Sequence, residues 1–328
     1  MALCLKFTCF GKSVYLITDS EDIYNYYHKH IFPDSNDPVS FIDDLFPGIN
    51  ISEYKDKTVL KDYVVCFCHC GIKFHHIDAE NNFAVISTDK EELNIRDVNV
   101  LLSTIISKKL NLIGKSFLHC AVIEKNGEAT VLLGGMGAGK TSLAVYLCRY
   151  FNYRLLCNDH AIVGIENTDI PYVYSGTLKT TLRPGAVELV VPELTDYVPK
   201  FMMNDLWKTQ FVLNEYFDAL GIKTTTEITE IKHIFFVKVD KNLSCQCNKI
   251  FFKKNFSRPL LELHNYLGEF TRSNGKFLFG INEILPSFDD NATNNFRKKF
   301  SQCLIANANF YDVCGNINYV ASSITKLY

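Results

Sequence analysis

Residues Gly134-Gly135-Met136-Gly137-Ala138-Gly139-Lys140-Thr141, followed by Ser142, fit the spacing G-x-x-x-x-G-K-[ST]. The chemistry that spacing serves is the binding of phosphate. Glycines let successive backbone N–H groups turn inward as an anion nest, and a following helix adds its positive end. Lys140 then reaches the β- and γ-phosphates, and the Thr141 hydroxyl joins a Mg²⁺ shell. The segment follows an apolar strand pattern, ATVLL, and opens an amphipathic helical one, as that mechanism demands. The expected ligand is ATP, with GTP as the alternative, together with Mg²⁺. No base-reading motif chooses between them, and the guanine-reading N-K-x-D is missing.

Phosphoryl transfer also needs a held metal and a carboxylate near the acceptor's hydroxyl. RLLCND puts Asp159 at the end of the strand after the loop's helix, and neighbouring strand ends share the ligand crevice of parallel α/β sheets. Asp159 therefore reads as metal partner or base, against the plain alternative of a cap at a strand end. Asp240, which ends the apolar run HIFFVKVD, is the rival acid. His119, in Leu-His-Cys-Ala, reads by itself as a core histidine of an apolar strand.

The elements that must position these groups follow from periodicity. Residues 1 to about 95 alternate short apolar runs with polar turns and read as an antiparallel sheet, with one helix around Ser20–His30. His28, His30, His75 and His76 read as surface or core histidines. Apolar spacing over 98–113, with Asp97 as its cap, predicts a linking helix. FLHCAVIE and ATVLLGG read as a hairpin closed at Asn126-Gly127. Thr141–Asn152 reads as a helix. Farther on, VELVVPEL, IKHIFFVKVD and KIFF read as strands or buried segments. MMNDLWKTQFVLNEYFDAL, RPLLELHNYLGEF and NATNNFRKKFSQCLIANA read as helices.

Composition sets the class. A 328-residue chain with 47% hydrophobic and 21% charged residues has the makings of a sizeable core. A net charge of −2 gives no general attraction to nucleic acid or to an anionic membrane. Lys6 breaks the first apolar run, and no stretch approaches 18 apolar residues, so neither a secretory signal nor a membrane span is expected, and the protein reads as cytoplasmic. The 12 cysteines then read as reduced thiols. Cys66, Cys68 and Cys70 alternate along one strand face beside His69, a spacing that favours core packing over a metal knuckle.

Around the glycine loop the chain resembles the HPr kinase/phosphorylase group and its wider relatives, including kinases encoded beside lasso-peptide precursors. The matching residues are Leu118-His119-Cys120-Ala121, Gly134–Thr141 and Leu156-Cys157-Asn158-Asp159. The resemblance implies an α/β fold (α+β overall) with a P-loop kinase-type core of HPr kinase/phosphoenolpyruvate carboxykinase-like type. A smaller β-rich N-terminal domain ending in a linking helix (1–110) would precede this phosphotransfer domain (111–328). It implies that Asp159 is the general base, and it gives His119 and Lys140 catalytic places. SGTLKTTLRPGAVEL resembles a segment of the non-HPr relatives, which makes Arg183 a candidate for phosphate contact. Asn158 stands where the family keeps an acid; with Thr141, Asp159 and Glu188 it completes the candidate metal ligands. No match to the HPr-binding C-terminal motif is visible, so the implied reaction is transfer of the γ-phosphate to a hydroxyl of a peptide, an amino acid or another small molecule. The alternative is a nucleotide-dependent switch, ATPase or regulatory protein with no acceptor. Homo-oligomerisation is left open.

Overall fold

Strict alternation in LCLKFTC and KSVYLIT produces β1 (Leu3–Cys9) and β2 (Lys12–Thr18), whose inward residues Leu5, Phe7, Val14 and Leu16 are fully buried. The structure, a computed structural model, describes residues 3–28, 50–54, 61–68, 73–89, 94–165, 169–203, 210–251, 257–272 and 277–328. The chain divides into two units, Met1–Phe117 with His264–Lys299, and Leu118–Leu263 with Phe300–Tyr328. Among the described residues, no helix is long and apolar enough to cross a membrane. The fold is mixed α/β with several sheets.

In the first unit, α1 (Glu21–His28) and β3 (Asn50–Glu53) follow the opening hairpin. They are succeeded by β4 (Tyr63–Phe67), β5 (Phe74–Asp78), β6 (Phe83–Ser87) and α2 (Ile95–Asn111). The sheet order is β3-β1-β2-β4-β6-β5. This corrects the antiparallel reading, because β2 pairs parallel to β4 and β4 parallel to β6. The helix expected around Ser20–His30 is present as α1, but the crossings are not visible in the alternation: α1 and β3 intervene between β2 and β4, and β5 crosses to the outer edge before the chain returns as β6. Cys66 and Cys68 are buried as expected, while His69, Cys70 and His30 lie outside the described residues. The eleven described cysteines are free thiols.

The cap of α2 also differs from expectation. Asn94, not Asp97, accepts from the Arg96 backbone N–H. Asp97 is buried and accepts instead from the backbone N–H groups of Phe279 (3.1 Å) and Gly280 (2.6 Å). A carboxylate with two backbone donors serves better as a tie for that loop than as a cap already supplied by Asn94.

The strands around the glycine loop are β7 (Lys115–His119), β8 (Ala121–Lys125) and β9 (Glu128–Leu133). β8 and β9 form the expected hairpin, with Asn126 and Gly127 both at positive φ. After α3 (Lys140–Phe151) come β10 (Arg154–Cys157), β11 (His160–Ile165) and β12 (Pro171–Gly176). Then β13 (Thr181–Leu182) leads to α4 (Pro184–Val190) and α5 (Lys200–Met203). VELVVPEL is thus largely helical, because Pro184 sits at the first helical position and Val187 and Val190 bury one helical face. Of the long helix expected from MMNDLWKTQFVLNEYFDAL, Met202 and Met203 fall in α5, residues 204–209 lie outside the described residues, and Phe211–Val212 form β14, a strand paired with β13.

The remaining elements are β15 (Lys223–Thr224), β16 (Thr229–Val239), β17 (Gln246–Lys249), α6 (Ser257–Leu267), β18 (Phe277–Leu278), β19 (Glu283–Ile284), α7 (Asn291–Asn307), β20 (Asn309–Gly315) and α8 (Ile317–Thr325). The large sheet runs β15-β10-β8-β9-β16-β12-β11-β7, with β20 also on β16 and β17 on β20. β9, β16 and β20 are mutually parallel, and β8 lies antiparallel between β9 and β10. Strands β9, β10, β16 and β20 therefore all end at one edge.

Arg297 anchors the returning segment of the first unit. Its guanidinium is fully buried and donates to both Asp289 oxygens, to Thr271 Oγ1 (2.8 Å) and to Asn294 Oδ1 (2.7 Å). Burial pushes the Asp289 carboxyl up, and the bonds from Arg297 and Thr271 bring it to a net value below the usual range. Arg297→Leu leaves Asp289 with Arg272, whose Nε lies 3.2 Å from Oδ2, so stability should fall by about 3 kcal/mol in denaturant unfolding, the low end for a broken buried pair, against about 0–1 for a surface pair. Because the folded value is depressed, this stabilisation is present above the ordinary carboxylate range. It is lost as pH falls through the lowered value.

Candidate active site at the strand ends

The glycine loop takes the shape its residue types allow. Gly137 (φ 77°) and Gly139 (φ 86°) are left-handed, and Gly139 opens α3. The Ala138 N–H donates to Gly135 O (3.1 Å), and the Leu143 N–H to Gly139 O (2.9 Å). One side of the loop is clamped by β16, whose Val239 N–H donates to Ala138 O at 2.9 Å. Lys140 is buried, and its Nζ donates to Gly134 O at 2.7 Å, inside the curl of the loop. Thr141 and Ser142 are half-buried in the first turn of α3, and Met136 is 91% exposed. Left-handed glycines, an inward ammonium and a hydroxyl on the first helical turn fit a nucleotide triphosphate with Mg²⁺.

At two of its glycines the loop leaves no room for a side chain. A Cβ on Gly139 would stand 2.7 Å from Val239 Cβ, and one on Gly134 would stand 2.7 Å from Val237 O. Gly139→Ala must therefore combine an unfavourable φ with a clash. Its expected cost is about 1–3 kcal/mol from the backbone alone. Thermal unfolding should show that loss, and nucleotide affinity should fall with it.

Asp159 lies two residues past β10 with φ 79°, a conformation that Asp adopts more readily than most residues. Its carbonyl accepts from the Cys120 N–H (3.0 Å), which brings His119 alongside. His119 Nε2 is 3.3 Å from Asp159 Oδ1, and His160 Nδ1 is 3.1 Å from Oδ2. The two imidazoles are tilted 40° with centroids 5.3 Å apart. Burial pushes the Asp159 carboxyl up; the hydrogen bonds from His119 and His160 and their charges outweigh it and hold the group far below the usual carboxylate range. The result is a carboxylate that stays ionised, half-exposed and gripped at both oxygens. One ligand atom from each of these three residues lies within 4.8 Å of the others, so the trio can also ligate a metal ion, at the expense of those hydrogen bonds.

The turn carrying Asp159 is fixed from beneath. The Thr177 hydroxyl donates to the Asn158 carbonyl, the Asn158 N–H to Thr177 O (2.7 Å), and the Thr177 N–H to His160 O (2.9 Å). Gly176 packs directly on Cys157, where a Cβ would fall 1.8 Å from the cysteine's own. Asn158 is buried and donates through Nδ2 to Lys179 O (3.1 Å), while its Oδ1 has no hydrogen-bond partner among the described residues.

The residues expected from the sequence are thus distributed unequally. His119 and Asp159 meet. They emerge at the edge where the loop begins, since Ala121 pairs with Leu132, and Cys157 pairs with Val122, which pairs with Val131. Arg183 is half-buried and caps the start of α4, and its guanidinium has no hydrogen bond or ion pair with a described residue. Glu188 is exposed on α4 and is not part of the His119–Asp159–His160 group. Asp240 is exposed, and its Oδ1 accepts from the Asn242 N–H at 2.9 Å. Sequence reasoning missed His160 and Thr177. The one visible signal was a histidine directly after a strand-end acid, in Asn-Asp-His.

No protein-family model matches the chain, and no curated protein matches it. Among solved structures, the HPr(Ser) kinase/phosphatase from Coxiella burnetii aligns with 65% of this chain and 93% of its own, at 9% identity and a TM-score of 0.29. An overlap that loose leaves the functional reading to the site itself.

Proposed function

We propose that the chain is an ATP- or GTP-dependent phosphotransferase that moves the γ-phosphate to a hydroxyl of a peptide, an amino acid or another small molecule. The observation that carries this reading is the emergence, at one sheet edge, of a glycine loop holding Lys140 and of a carboxylate held ionised between two imidazoles.

The roles follow from chemistry. Loop N–H groups and Lys140 bind the phosphates and stabilise charge on the migrating group. The Thr141 hydroxyl would help hold the Mg²⁺ that accompanies the nucleotide, which would supply neutralisation of phosphate charge. An acceptor hydroxyl donates to Asp159 and is thereby aimed at the γ-phosphorus. As the new O–P bond forms, the bond from phosphorus to the leaving β-phosphate oxygen breaks. In a loose transition state the hydroxyl proton is needed elsewhere only late, so a carboxylate of low basicity suffices to receive it. Arg183 is a candidate for contact with the phosphate or the acceptor.

The bond formed tests the acceptor class. With γ-labelled ATP, the product should be a phosphate ester, stable in acid. An acid-labile product would indicate a phosphoramidate on nitrogen and overturn the hydroxyl assignment.

A further inference from the structure

Two imidazoles reach Asp159 from different strands. His119 ends β7 and His160 opens β11, and these strands are neighbours in the large sheet. The mountings differ. His160 is pinned at its backbone: its N–H donates to Asn158 O and to Thr177 Oγ1, both at 3.2 Å, and its carbonyl accepts from the Thr177 N–H at 2.9 Å. From that anchor the nearer ring nitrogen, Nδ1, stands 3.1 Å from Asp159 Oδ2. His119 uses its far nitrogen, Nε2, and lies 3.3 Å from Oδ1. The His160 contact is the shorter of the two, and it is made close to a fixed backbone.

Asp159 has need of such a hold. Its side chain is 56% exposed, and the last torsion of a carboxylate is broad and two-fold, so the residue does not fix its own plane. A single donor lets the carboxylate swing about that one contact. A second donor, on the other oxygen, sets the plane. For a base, direction counts as well as charge, because it must meet the acceptor's proton within hydrogen-bond reach.

We infer that His160 is a positioning residue for the transfer step. Its Nδ1–H, donated to Oδ2, sets the plane of the Asp159 carboxylate and so the line along which the acceptor hydroxyl approaches. Nδ1 carries the proton in this arrangement, as a ring nitrogen facing a carboxylate does. The donated bond is what matters, not the imidazole as such: another N–H at the same place serves equally, and His160 takes no proton from the acceptor. This inference rests on the phosphotransferase reading above and adds one residue to it.

Two variants separate that role from a structural one. Asn carries Nδ2 one bond beyond Cγ, where histidine has Nδ1; Phe keeps a ring beside His119 but donates nothing. The probe is γ-labelled ATP in extract of the cells that produce the protein, with the purified chain added and the Lys140→Ala rate subtracted. His160→Phe should lower the maximal rate of label transfer by about 10- to 100-fold, the loss that misplacement by about 1 Å brings. KM for ATP, and calorimetric affinity for the non-hydrolysable analogue AMP-PNP, should stay as in the intact chain. His160→Asn should recover most of the rate. An unchanged rate in His160→Phe, an equal loss in His160→Asn, or a nucleotide affinity that falls in step with the rate overturns the assignment. Thermal unfolding shows whether a lost rate is a lost fold, which also overturns it. An intact chain that transfers no label overturns the phosphotransferase reading, and an Asp159→Asn variant as fast as the intact chain overturns Asp159 as base; both are separate results.

Discussion

Replacing Asp159 by Asn should lower phosphoryl transfer by about 10²–10⁴-fold, the range for loss of a positioned proton acceptor, and leave AMP-PNP binding in place. Asn is the informative choice. Asp159 holds a left-handed backbone (φ 79°), which Asn also tolerates and Ala does not. The amide keeps the size of the carboxylate and can still accept from one imidazole, so His119 and His160 remain near their places. What disappears is the charge and the capacity to take a proton. The loss should therefore lie in kcat and not in nucleotide affinity. Retained transfer in Asp159→Asn would remove this residue from the role of base. Transfer and binding lost together would mean that the Asn158-Asp159 turn shapes the nucleotide site.

Lys140→Ala should lower both, weakening nucleotide binding by about 10- to 150-fold, as expected for a lost charged hydrogen bond of about 1.5–3 kcal/mol. Transfer should fall further, by about another 10²–10³-fold, since this ammonium also meets charge that develops on the migrating phosphoryl. Lys140 Nζ already lies within the curl of the loop at Gly134 O, so it needs little movement to reach a phosphate. Its side chain is buried, and the Ala variant needs a thermal unfolding control. Calorimetry should then show a folded protein with weak nucleotide affinity. Unchanged affinity would place the nucleotide elsewhere.

Local rules read the site's centre well. The glycine loop, the hairpin at Asn126-Gly127 and α3 depend on backbone preferences carried by neighbouring residues, and they form where periodicity put them. His119 and Asp159 could be paired from sequence only through the family resemblance, because the Cys120–Asp159 bond that joins them spans two strands. His160 was hidden for the same reason: its value lies in the side chain it meets, not in its spacing. The parallel pairings of the first sheet failed from sequence because a polar break looks alike whether the chain turns back or crosses over. Asp97 carries the same lesson at residue scale. It stood at a plausible cap position, but Asn94 took that role and left the acid to two N–H groups remote in sequence.

The most direct measurement follows the γ-phosphate. The intact chain and Lys140→Ala are incubated with γ-labelled ATP, or GTP in parallel, in extract of the cells that produce the protein, and the label is traced. The predicted result is covalent label on a peptide or small molecule, present with the intact chain and absent with Lys140→Ala. Label that leaves only as inorganic phosphate, at a rate that still depends on Lys140, would contradict the transferase reading and identify a nucleotide-hydrolysing switch.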